Sequence, residues 1–592
     1  MSEHLLLVTV GPVQEFIAQA RRTRDLWYGS HLLSELGRAA ARSLAAGGAR
    51  LVFPALDAGD PELEPCFAPL RENGQPPLNI PNKLLAAVPP GVDPAQLARA
   101  VRDSVLEHWR DGIAAPVKKK CRGVLAPRIE EIWAEQINTL VEVLATWAPL
   151  NEYSETRRAV EGAIAGRKNL RDFSPWRQAR GGVPKSSLDG GRETVLRVPG
   201  ERDRQLARKY RIPDGEQLDA VALVKRAGGE PDQFVPVINI ALSNWIEVAG
   251  STCAPEIGNL RKACREAGIS RVERRDLCWT GQFPFDASIL LQSRWGDVFE
   301  EQGIEGNAQS WGRTYVGPLL NNMSEPYPYV ACLAADGDRM GRALDRLPSA
   351  EEHRRLSRAL SNFAAQTRTI VEQNYHGALI YSGGDDVLAF LPLSEAMSCA
   401  GELRRAFESE ISPACGSLPA GLRPTLSAGI GIGHVMQGMG DLLDLGREAE
   451  REAKRQRNSL AVLVETRSGG RRTWCARWEE DPAGALRRSV TYIEHSLSTR
   501  KVYEIASIVR RLPADSSDPR WARILAREIE RAVSRVGEGG LNPSEVGLDL
   551  NDNDNYGDLL MRVSSWVNRV LIARVLARSV PRPRSKTNEA AA

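Results

Sequence analysis

Residues 378–391, Ala378-Leu-Ile-Tyr-Ser-Gly-Gly-Asp-Asp-Val-Leu-Ala-Phe-Leu391, form the most informative segment of this chain. Two apolar runs rich in β-forming residues flank a Gly-Gly pair, and two adjacent aspartates follow that pair. Gly383 and Gly384 can take the positive φ that a two-residue loop requires, so the pattern predicts a tight β-hairpin. Glycine and aspartate are also common in ordinary turns, so the segment alone leaves a plain turn and a carboxylate site both open.

The flanking residues complete a β-α-β-β-α-β order around this hairpin. Residues 329–335 predict a buried strand, which runs into Asp336-Gly-Asp-Arg-Met-Gly341. Apolar residues recur at helical spacing from 356 to 371, residues 394–410 predict a second helix, and residues 425–432 predict a fourth strand. This order is typical of the split, ferredoxin-like fold, so the fold class predicted for the chain is α+β.

Three carboxylates are expected to meet at one end of this sheet. The first strand of the fold lies beside the hairpin strands, so Asp336 should approach Asp385 and Asp386. Such a set can hold two divalent cations ~3.5–4 Å apart for an in-line displacement at phosphorus. Mutual repulsion would be costly without a cation, which favours a Mg²⁺ or Mn²⁺ site over a purely structural cluster.

This segment resembles the cyclase-polymerase palm of the large subunit of type III CRISPR effector complexes. At the amino terminus, residues 10–27 (VGPVQEFIAQARRTRDLW) resemble the opening of the Cmr-type (III-B) subunit. Further similarity lies in residues 29–34, 52–54, 81–85, 185–190 and 218–226. Larger family members begin with an HD nuclease domain, whereas this chain begins at the palm strand. None of its seven histidines is followed by aspartate, so no HD nuclease activity is expected.

The resemblance assigns roles to particular residues of the second palm. It implies that Asp336, Asp385 and Asp386 are the catalytic metal ligands. It implies a nucleotide pocket lined by Ser382, Gly383, Gly384, Gly337 and Lys454, with the lysine contacting the triphosphate. Judged from its residues alone, the helix predicted over 441–457 places Lys454 at the edge of an apolar stripe, where a solvated charge is an equally good interpretation.

A first palm with the same plan is predicted nearer the amino terminus. Residues 4–10, 50–53 and 83–88 predict strands, and helices are expected up to residue 44 and from residue 94. At the position equivalent to Asp336 the chain has Gly11-Pro-Val-Gln14, and no carboxylate pair follows, so this palm is expected to be non-catalytic. Three arginines at the start of its helix could reach phosphates or RNA, although solvated arginines are the commoner case: Arg21, Arg22 and Arg24.

Five regions are expected along the chain. They are a first palm with a helical insertion (1–230), a mainly helical linking domain (231–325), the catalytic palm (326–480), a carboxy-terminal helical domain (481–580) and a disordered tail (581–592). The insertion is predicted over residues 95–175, where Leu140, Leu144 and Trp147 continue the helical spacing of apolar residues.

Composition sets limits on the remaining function classes. The chain has 592 residues and a net charge of +3, so any RNA contact must come from local basic patches such as residues 118–122. Its nine cysteines are scattered without a C-x-x-C pair, so no zinc is expected, and a reducing cytoplasm is predicted. Neither a signal peptide nor a membrane span is predicted.

The resemblance implies an RNA-guided antiviral function. The expected partners are other subunits of the complex, crRNA and target RNA, contacted largely through those subunits, and ATP. Target-RNA binding is expected to permit ATP to react at the second palm, with cyclic oligoadenylate as the usual product of the family. Some family members instead join ATP to S-adenosylmethionine, and others are catalytically silent scaffolds. A diguanylate-cyclase-like enzyme acting alone is disfavoured because it would not need the first palm.

Overall fold

The structure is a computed structural model of the chain. It describes residues 2–66, 77–170, 182–229, 235–272, 274, 277–416, 418–468, 470–518, 520–535, 541–551 and 555–584. Within these residues, strands form two sheets, and helices cover the sheets and build the remaining regions. No helix in the described part of the chain combines the length and the apolar character that a bilayer span requires.

The first sheet has the ferredoxin-like strand order. It contains β1 (His4–Gly11), β2 (Arg50–Phe53), β3 (Lys83–Val88) and β4 (Glu142–Pro149), arranged β2-β3-β1-β4 with antiparallel neighbours. Its region also contains α1 (Gln14–Ala18), α2 (Thr23–Ala46), α3 (Pro94–Glu107), α4 (Ala115–Lys120), α5 (Glu130–Asn138), α6 (Tyr153–Asn169), α7 (Arg204–Lys209) and α8 (Ala220–Ala227).

Strand β4 corrects the prediction of helical spacing through Leu144 and Trp147. Leu144 pairs with Thr9 and Trp147 pairs with Leu6, so both lie on a strand along the edge of β1. Apolar residues three apart fall on one face of a helix but on opposite faces of a strand. Here pairing with β1 determines the conformation, since strand preference depends on neighbouring strands more than on the local sequence.

The linking region is helical and has its own core. It contains α9 (Val237–Ala241), α10 (Ser243–Thr252), α11 (Ala254–Ala267), α12 (Trp295–Gln302), α13 (Ala308–Tyr315) and α14 (Gly317–Asn322). Leu260, Phe283 and Trp295 lie at the centre of this core and are almost completely buried.

The second sheet contains the predicted palm and two further strands. Its strands are β5 (Tyr329–Asp338), β6 (Ala378–Gly383), β7 (Asp386–Pro392), β8 (Thr425–His434), β9 (Ser459–Glu465) and β10 (Arg471–Arg477). The order is β10-β9-β8-β5-β7-β6, in which β8-β5-β7-β6 is the ferredoxin-like set and β9 lies parallel to β8. Its helices are α15 (Met340–Leu344), α16 (Ala350–Thr369), α17 (Leu393–Ala414) and α18 (Met439–Gln456).

The two faces of the second sheet belong to different cores. Along β5, Ala331 and Leu333 pack with the side of the sheet that α16 and α17 cover. The alternate residues Val330 and Cys332 join the core that contains Leu32 and other residues of α2. The first palm therefore packs through α2 on the back of the second sheet, and this contact fixes the two palms against each other.

A carboxy-terminal helical region completes the described chain. It contains α19 (Pro482–His495), α20 (Thr499–Arg511), α21 (Arg520–Val533) and α22 (Tyr556–Ser579). The prediction of disorder from residue 581 is wrong for residues 582–584, because Met323 pairs with Pro583 and the Ser324 N–H donates to the Arg582 carbonyl (2.7 Å). Backbone pairing with the linking region orders this polar segment although it has little apolar content. Residues 585–592 lie outside the described residues.

Candidate active site

The end of β5 and the β6–β7 hairpin bring the three predicted aspartates together. Ala335 pairs with Val387 on β7, so the next residue of β5, Asp336, reaches the level of the hairpin. The Asp336 side chain lies within hydrogen-bonding reach of the carboxyl groups of both Asp385 and Asp386. The structure therefore brings Asp336 to the same sheet end as the adjacent Asp385 and Asp386, which lie about fifty residues later in the sequence.

The hairpin differs by one residue from the predicted turn. Gly383 pairs with Asp386, so the two loop residues are Gly384 and Asp385, and of the two glycines only Gly384 has a positive φ (76°). A glycine at the first loop position is typical of a type II′ hairpin. The expectation of positive φ at Gly383 is therefore wrong. This residue needs to be glycine for another reason, because a Cβ there would lie 1.9 Å from the Tyr381 hydroxyl oxygen.

Gly337 allows the hairpin to approach β5 closely. A Cβ at this position would lie 2.8 Å from Oδ2 of Asp385 and 2.7 Å from Cγ of Met340. Real Cβ contacts are not this short, so any side chain here would push Asp385 away from β5. The predicted role of Gly337 in the site thus has a concrete physical basis in the spacing of the acids.

The carboxyl groups of the hairpin are shifted towards their protonated forms. Burial, followed by the negative charge of Asp336, raises the pKa of Asp385. Desolvation by the surrounding protein, followed by the hydrogen bond with Asp336, raises the pKa of Asp386, although this residue keeps an exposed surface. Like charges this close are unfavourable unless a proton or a cation offsets them.

Lys454 reaches the acids from the last turn of α18. Its ammonium group donates to the Asp336 carboxylate and, at 2.9 Å, to the Gly337 carbonyl oxygen. The lysine therefore lies in the site and not on a solvated helix face. Its charge also favours the ionised form of the neighbouring acids, lowering the raised pKa values of Asp385 and Asp386.

The donor set fits a divalent cation, although the side chains are not yet arranged around one. In the described part of the chain, no three Asp, Glu, His or Cys side chains form a ready metal-ligand cluster. The three aspartates supply only oxygen donors, which is the chemistry that Mg²⁺ prefers. Their mutual proximity, with two pKa values raised, is the electrostatic condition that a bound cation would relieve.

Ser382 contributes to the site through its backbone. Its side chain is buried, and its Oγ has no hydrogen-bond partner among the described residues. Its carbonyl oxygen accepts a hydrogen bond from Nδ2 of Asn79 (2.9 Å), a residue of the first palm that precedes β3. Sequence reasoning missed Asn79, because nothing in its local pattern shows that it crosses to the other palm.

Two acidic residues near the site have distinct positions. Asp338 is buried and its carboxylate accepts from the Thr425 and Ser427 hydroxyls and from the Asn458 N–H at 2.7–2.9 Å. It thus ties β5 to β8 and to the loop after α18, rather than capping the helix that follows it.

Glu450, which sequence reasoning missed, lies on α18 one turn before Lys454, and burial followed by the charge of Asp336 raises its pKa. Its helical spacing from Lys454 is the signal that could have found it.

The predicted arginines of the first palm lie away from this site. Arg21, Arg22 and Arg24 line a cavity beside the opposite end of β8, near Val435. Asp336 pairs with Ser427 on β8, so eight residues of extended chain, roughly 25 Å, separate the acids from Val435.

Two ferredoxin-like sheets, of which the second carries the acidic cluster seen in the described residues, define a paired-palm protein. Comparisons with known proteins agree with this class. The family model "Cas10/Cmr2, second palm domain" matches residues 329–461, and "CRISPR-associated protein Cmr2, N-terminal" matches residues 5–114. The second palm thus matches the Cas10/Cmr2 family and the first matches its Cmr type, and both matches support a Cmr-type large subunit.

Individual relatives support the same assignment. The CRISPR system Cmr subunit Cmr2 of Pyrococcus furiosus is 25% identical over 565 residues, which cover 80% of this chain and 63% of the relative. The chain thus spans less than two thirds of that protein. Among solved structures, a type III-B Cmr-beta complex in its apo state gives a TM-score of 0.63 at 14% identity, covering 98% of this chain and 82% of the other. The same complex bound to cognate target RNA gives 0.58 at 14% identity, covering 93% and 79%.

Proposed function

We propose that the second palm transfers nucleotidyl groups from ATP, and that the chain does so as a subunit of an RNA-guided type III CRISPR complex. The observation that carries this proposal is the convergence of Asp336, Asp385 and Asp386 at one sheet end beside Lys454. An acidic cluster of this kind is costly as a structural feature, because three carboxylates in partly desolvated surroundings repel one another. It is useful where a substrate brings phosphates and cations.

The residues divide the work of the reaction between them. A 3′-hydroxyl oxygen attacks the α-phosphorus of ATP, the bond from that phosphorus to the β-phosphate oxygen breaks, and pyrophosphate leaves with the electron pair. Divalent cations held by the three aspartates would neutralise the triphosphate and lower the pKa of the attacking hydroxyl. Lys454 is placed to contact the triphosphate as charge develops on it, and the glycines of the hairpin leave room for phosphate oxygens.

The relatives support membership of such a complex. The solved neighbours are type III-B Cmr-beta complexes, one of them bound to cognate target RNA, and the proposed partners of this chain are the corresponding subunits, crRNA and target RNA. We place the activity under the control of target-RNA binding, with cyclic oligoadenylate as the product.

The test compares the assembled complex carrying a double aspartate substitution in the hairpin with one carrying a control aspartate substitution. Asp385→Asn combined with Asp386→Asn should abolish formation of product from labelled ATP with Mg²⁺ or Mn²⁺ and cognate RNA. The matched control is Asp444→Asn, an exposed aspartate of the same palm on α18, which should keep full activity. Assembly and RNA binding should be equal in both variants. Undiminished product from the double variant would remove the proposed site.

The same reactions identify the product class. Parallel incubations with and without S-adenosylmethionine separate cyclic oligoadenylate from a conjugate of AMP with S-adenosylmethionine, because only the conjugate incorporates label from both substrates. A wild-type complex that releases no pyrophosphate with cognate RNA, with either metal and either substrate set, would instead indicate a silent scaffold.

A further inference from the structure

A second charged cavity lies at the other end of the second sheet from the aspartates. It has a volume of about 440 Å³ and opens between the first palm, the linking region and the start of α18. Cavities of this size are typical of small-molecule sites. It is separate from the acidic cluster, because Met439 at the start of α18 lines the cavity and Lys454 lies 15 residues further along the helix, a rise of roughly 22 Å.

Positive charge dominates one wall of this cavity. Six cationic side chains come from the first 230 residues: Arg21, Arg22, Arg24, Arg208, Lys209 and Arg211. A seventh, Arg271, comes from the linking region, and among the described lining residues only Asp286 and Glu301 carry negative charge. The cavity thus gathers a net five positive charges, whereas the whole chain carries only +3.

The two acidic groups of the wall are already engaged. Asp286 accepts from Arg211 at 3.4 Å and from the Ser288 hydroxyl at 2.7 Å, and Glu301 forms an ion pair with Arg294 at 2.9 Å. Among the described residues, no carboxylate forms an ion pair with the side chains of four of the wall cations: Arg21, Arg22, Arg208 and Lys209. Burial, followed by the charge of Arg226, lowers the pKa of Arg22, although the carboxylates of Glu216 and Asp25 act in the opposite direction.

The linking region and the second palm supply an apolar wall. It is formed by Val237, Ile238, Val272, Met439 and Leu442, with the exposed Met436 at its rim. A ligand that fits both walls has clustered negative charge at one end and a flat or apolar body at the other. None of the described lining residues is aromatic, so they offer no stacking platform along which a single strand of several bases would bind.

We propose that this cavity binds a nucleoside polyphosphate, with the phosphates on the arginine and lysine wall and the base against the apolar wall. The same chemistry is available from a free nucleotide and from the 5′-triphosphate end of an RNA. In either case the contacts are charge-assisted hydrogen bonds from guanidinium and ammonium groups to phosphate oxygens. This proposal does not depend on the activity of the acidic cluster.

The test measures binding to the full chain in the presence of EDTA, so that cations bound by the aspartates do not contribute. The variant is Arg208→Glu combined with Lys209→Glu, two exposed positions in the last turn of the short helix α7. The matched control is Arg500→Glu combined with Arg523→Glu, exposed arginines of the carboxy-terminal helices. We expect the affinity for ATP to fall at least about tenfold in the variant and to stay unchanged in the control, because each charged contact contributes more than a neutral hydrogen bond.

Two further measurements test whether the cavity recognises the triphosphate and where the nucleotide binds. A 5′-triphosphorylated oligoribonucleotide should compete with ATP, whereas the same oligonucleotide with a 5′-hydroxyl should not. Photolabelling with 8-azido-ATP should mark residues 236–238 or 435–442. Equal binding of the two oligonucleotides, equal ATP affinity of the variant and the control, or labelling confined to the GGDD hairpin would each overturn the proposal.

Discussion

The two palms of this chain share a strand order, yet they differ at the end of the central strand and in the connection that faces it. In the second palm, β5 ends in Asp336-Gly-Asp338, and a two-residue loop joins β6 to β7. In the first palm, β1 ends at Gly11, and the connection from β2 to β3 is 29 residues long, from 54 to 82. The fold alone therefore supplies no chemistry. The chemistry requires acids at the strand end and a hairpin tight enough to bring two more against them.

The first palm nevertheless supports the site in the second. Helix α2 packs against the back of the second sheet beside β6, and Asn79 holds the carbonyl of Ser382 next to the hairpin. The contrast suggests a division of labour in which one copy of the fold positions the other. The predictions below test this division, beginning with the largest expected effect.

Equivalent positions in the two palms should respond very differently. Asp336→Asn should lower nucleotidyl transfer by roughly 10³-fold, because metal-ion catalysis contributes several kcal/mol. Gln14→Ala, an exposed residue just beyond the end of β1, should leave the rate within about twofold, since the first palm has no equivalent of the Asp385–Asp386 pair to hold a cation. Initial rates of pyrophosphate release measure both. Comparable losses in the two variants would contradict the assignment of the chemistry to the second palm alone.

Removing the lysine should have a smaller effect than removing an acid. Lys454→Ala should reduce the rate by about 10²-fold, because a hydrogen bond to a charged group contributes about 1.5–3 kcal/mol. Arg455→Ala is the matched control, since this neighbour is more exposed and pairs with Glu452. Saturation kinetics with ATP should show the loss only in the Lys454 variant. An equal rise of the KM for ATP in the Lys454 and Arg455 variants would mean that any positive charge on α18 attracts ATP at long range, and would contradict a direct contact from Lys454.

The contact between the palms should weaken in acid. Burial, followed by the charge of Arg157, lowers the pKa of His353 to about 3, and Nδ1 of its ring lies in a hydrogen bond, 2.6 Å long, with the Tyr153 hydroxyl of the first palm. In the unfolded chain the His353 imidazole is protonated below about pH 6.5, whereas in the folded chain it is protonated only near pH 3. The free energy of unfolding therefore falls as the pH decreases from 6.5 towards 3. Between pH 6.5 and pH 5 this protonation lowers the free energy of unfolding by about 2 kcal/mol.

A single substitution isolates this contribution. His353→Gln cannot be protonated, so its urea midpoint should fall less between pH 7 and pH 5 than that of the wild type. His376→Gln serves as the control, because its hydrogen bond to Glu395 raises the pKa of His376. The His376–Glu395 pair stabilises the fold below pH 6.5, and this stabilisation is lost as the pH rises through the raised pKa of His376. Its pH dependence is therefore opposite to that of His353. Identical acid sensitivity of the wild type and His353→Gln would disprove the interface assignment.

The smallest effect concerns the hydrogen bond between the palms. Asn79→Ala removes the donor to the Ser382 carbonyl and should lower the rate a few-fold, since one neutral hydrogen bond contributes about 0.5–1.5 kcal/mol. Asn82→Ala is the matched control, because its amide bonds to Val10 within the first palm. The rate of the control should be unchanged. A rate loss in Asn82→Ala as large as in Asn79→Ala would show that the first palm acts only through its own stability.

Much of this arrangement was predictable from sequence. The alternation and helical spacing of residues 329–432 specify the strand order, and that order alone places Asp336 beside the hairpin. The turn was predicted one residue early, because both glycines can take a positive φ and only cross-strand pairing with Asp386 decides between them. Strand β4 was missed for a similar reason, since its pairing with β1 is a long-range contact.

Residues that act across the chain could not be found from local patterns. Asn79 reaches Ser382 from 303 positions away, and Asp338 serves β8 and the loop after α18 rather than its own helix. The basic cavity likewise combines residues from three regions, each of which looks like an ordinary solvated helix or loop in sequence. Such features depend on how the palms pack, and packing is set by α2 on the second sheet.

The most direct test of the account is a structure of the chain with Mn²⁺ and a non-hydrolysable ATP analogue, measured with anomalous scattering. The account predicts a manganese peak with oxygen atoms of Asp336 and of the Asp385–Asp386 pair at about 2.1 Å, and the triphosphate within reach of Lys454. A peak bound by the hairpin acids alone, with Asp336 turned away to a distance beyond coordination, would contradict it.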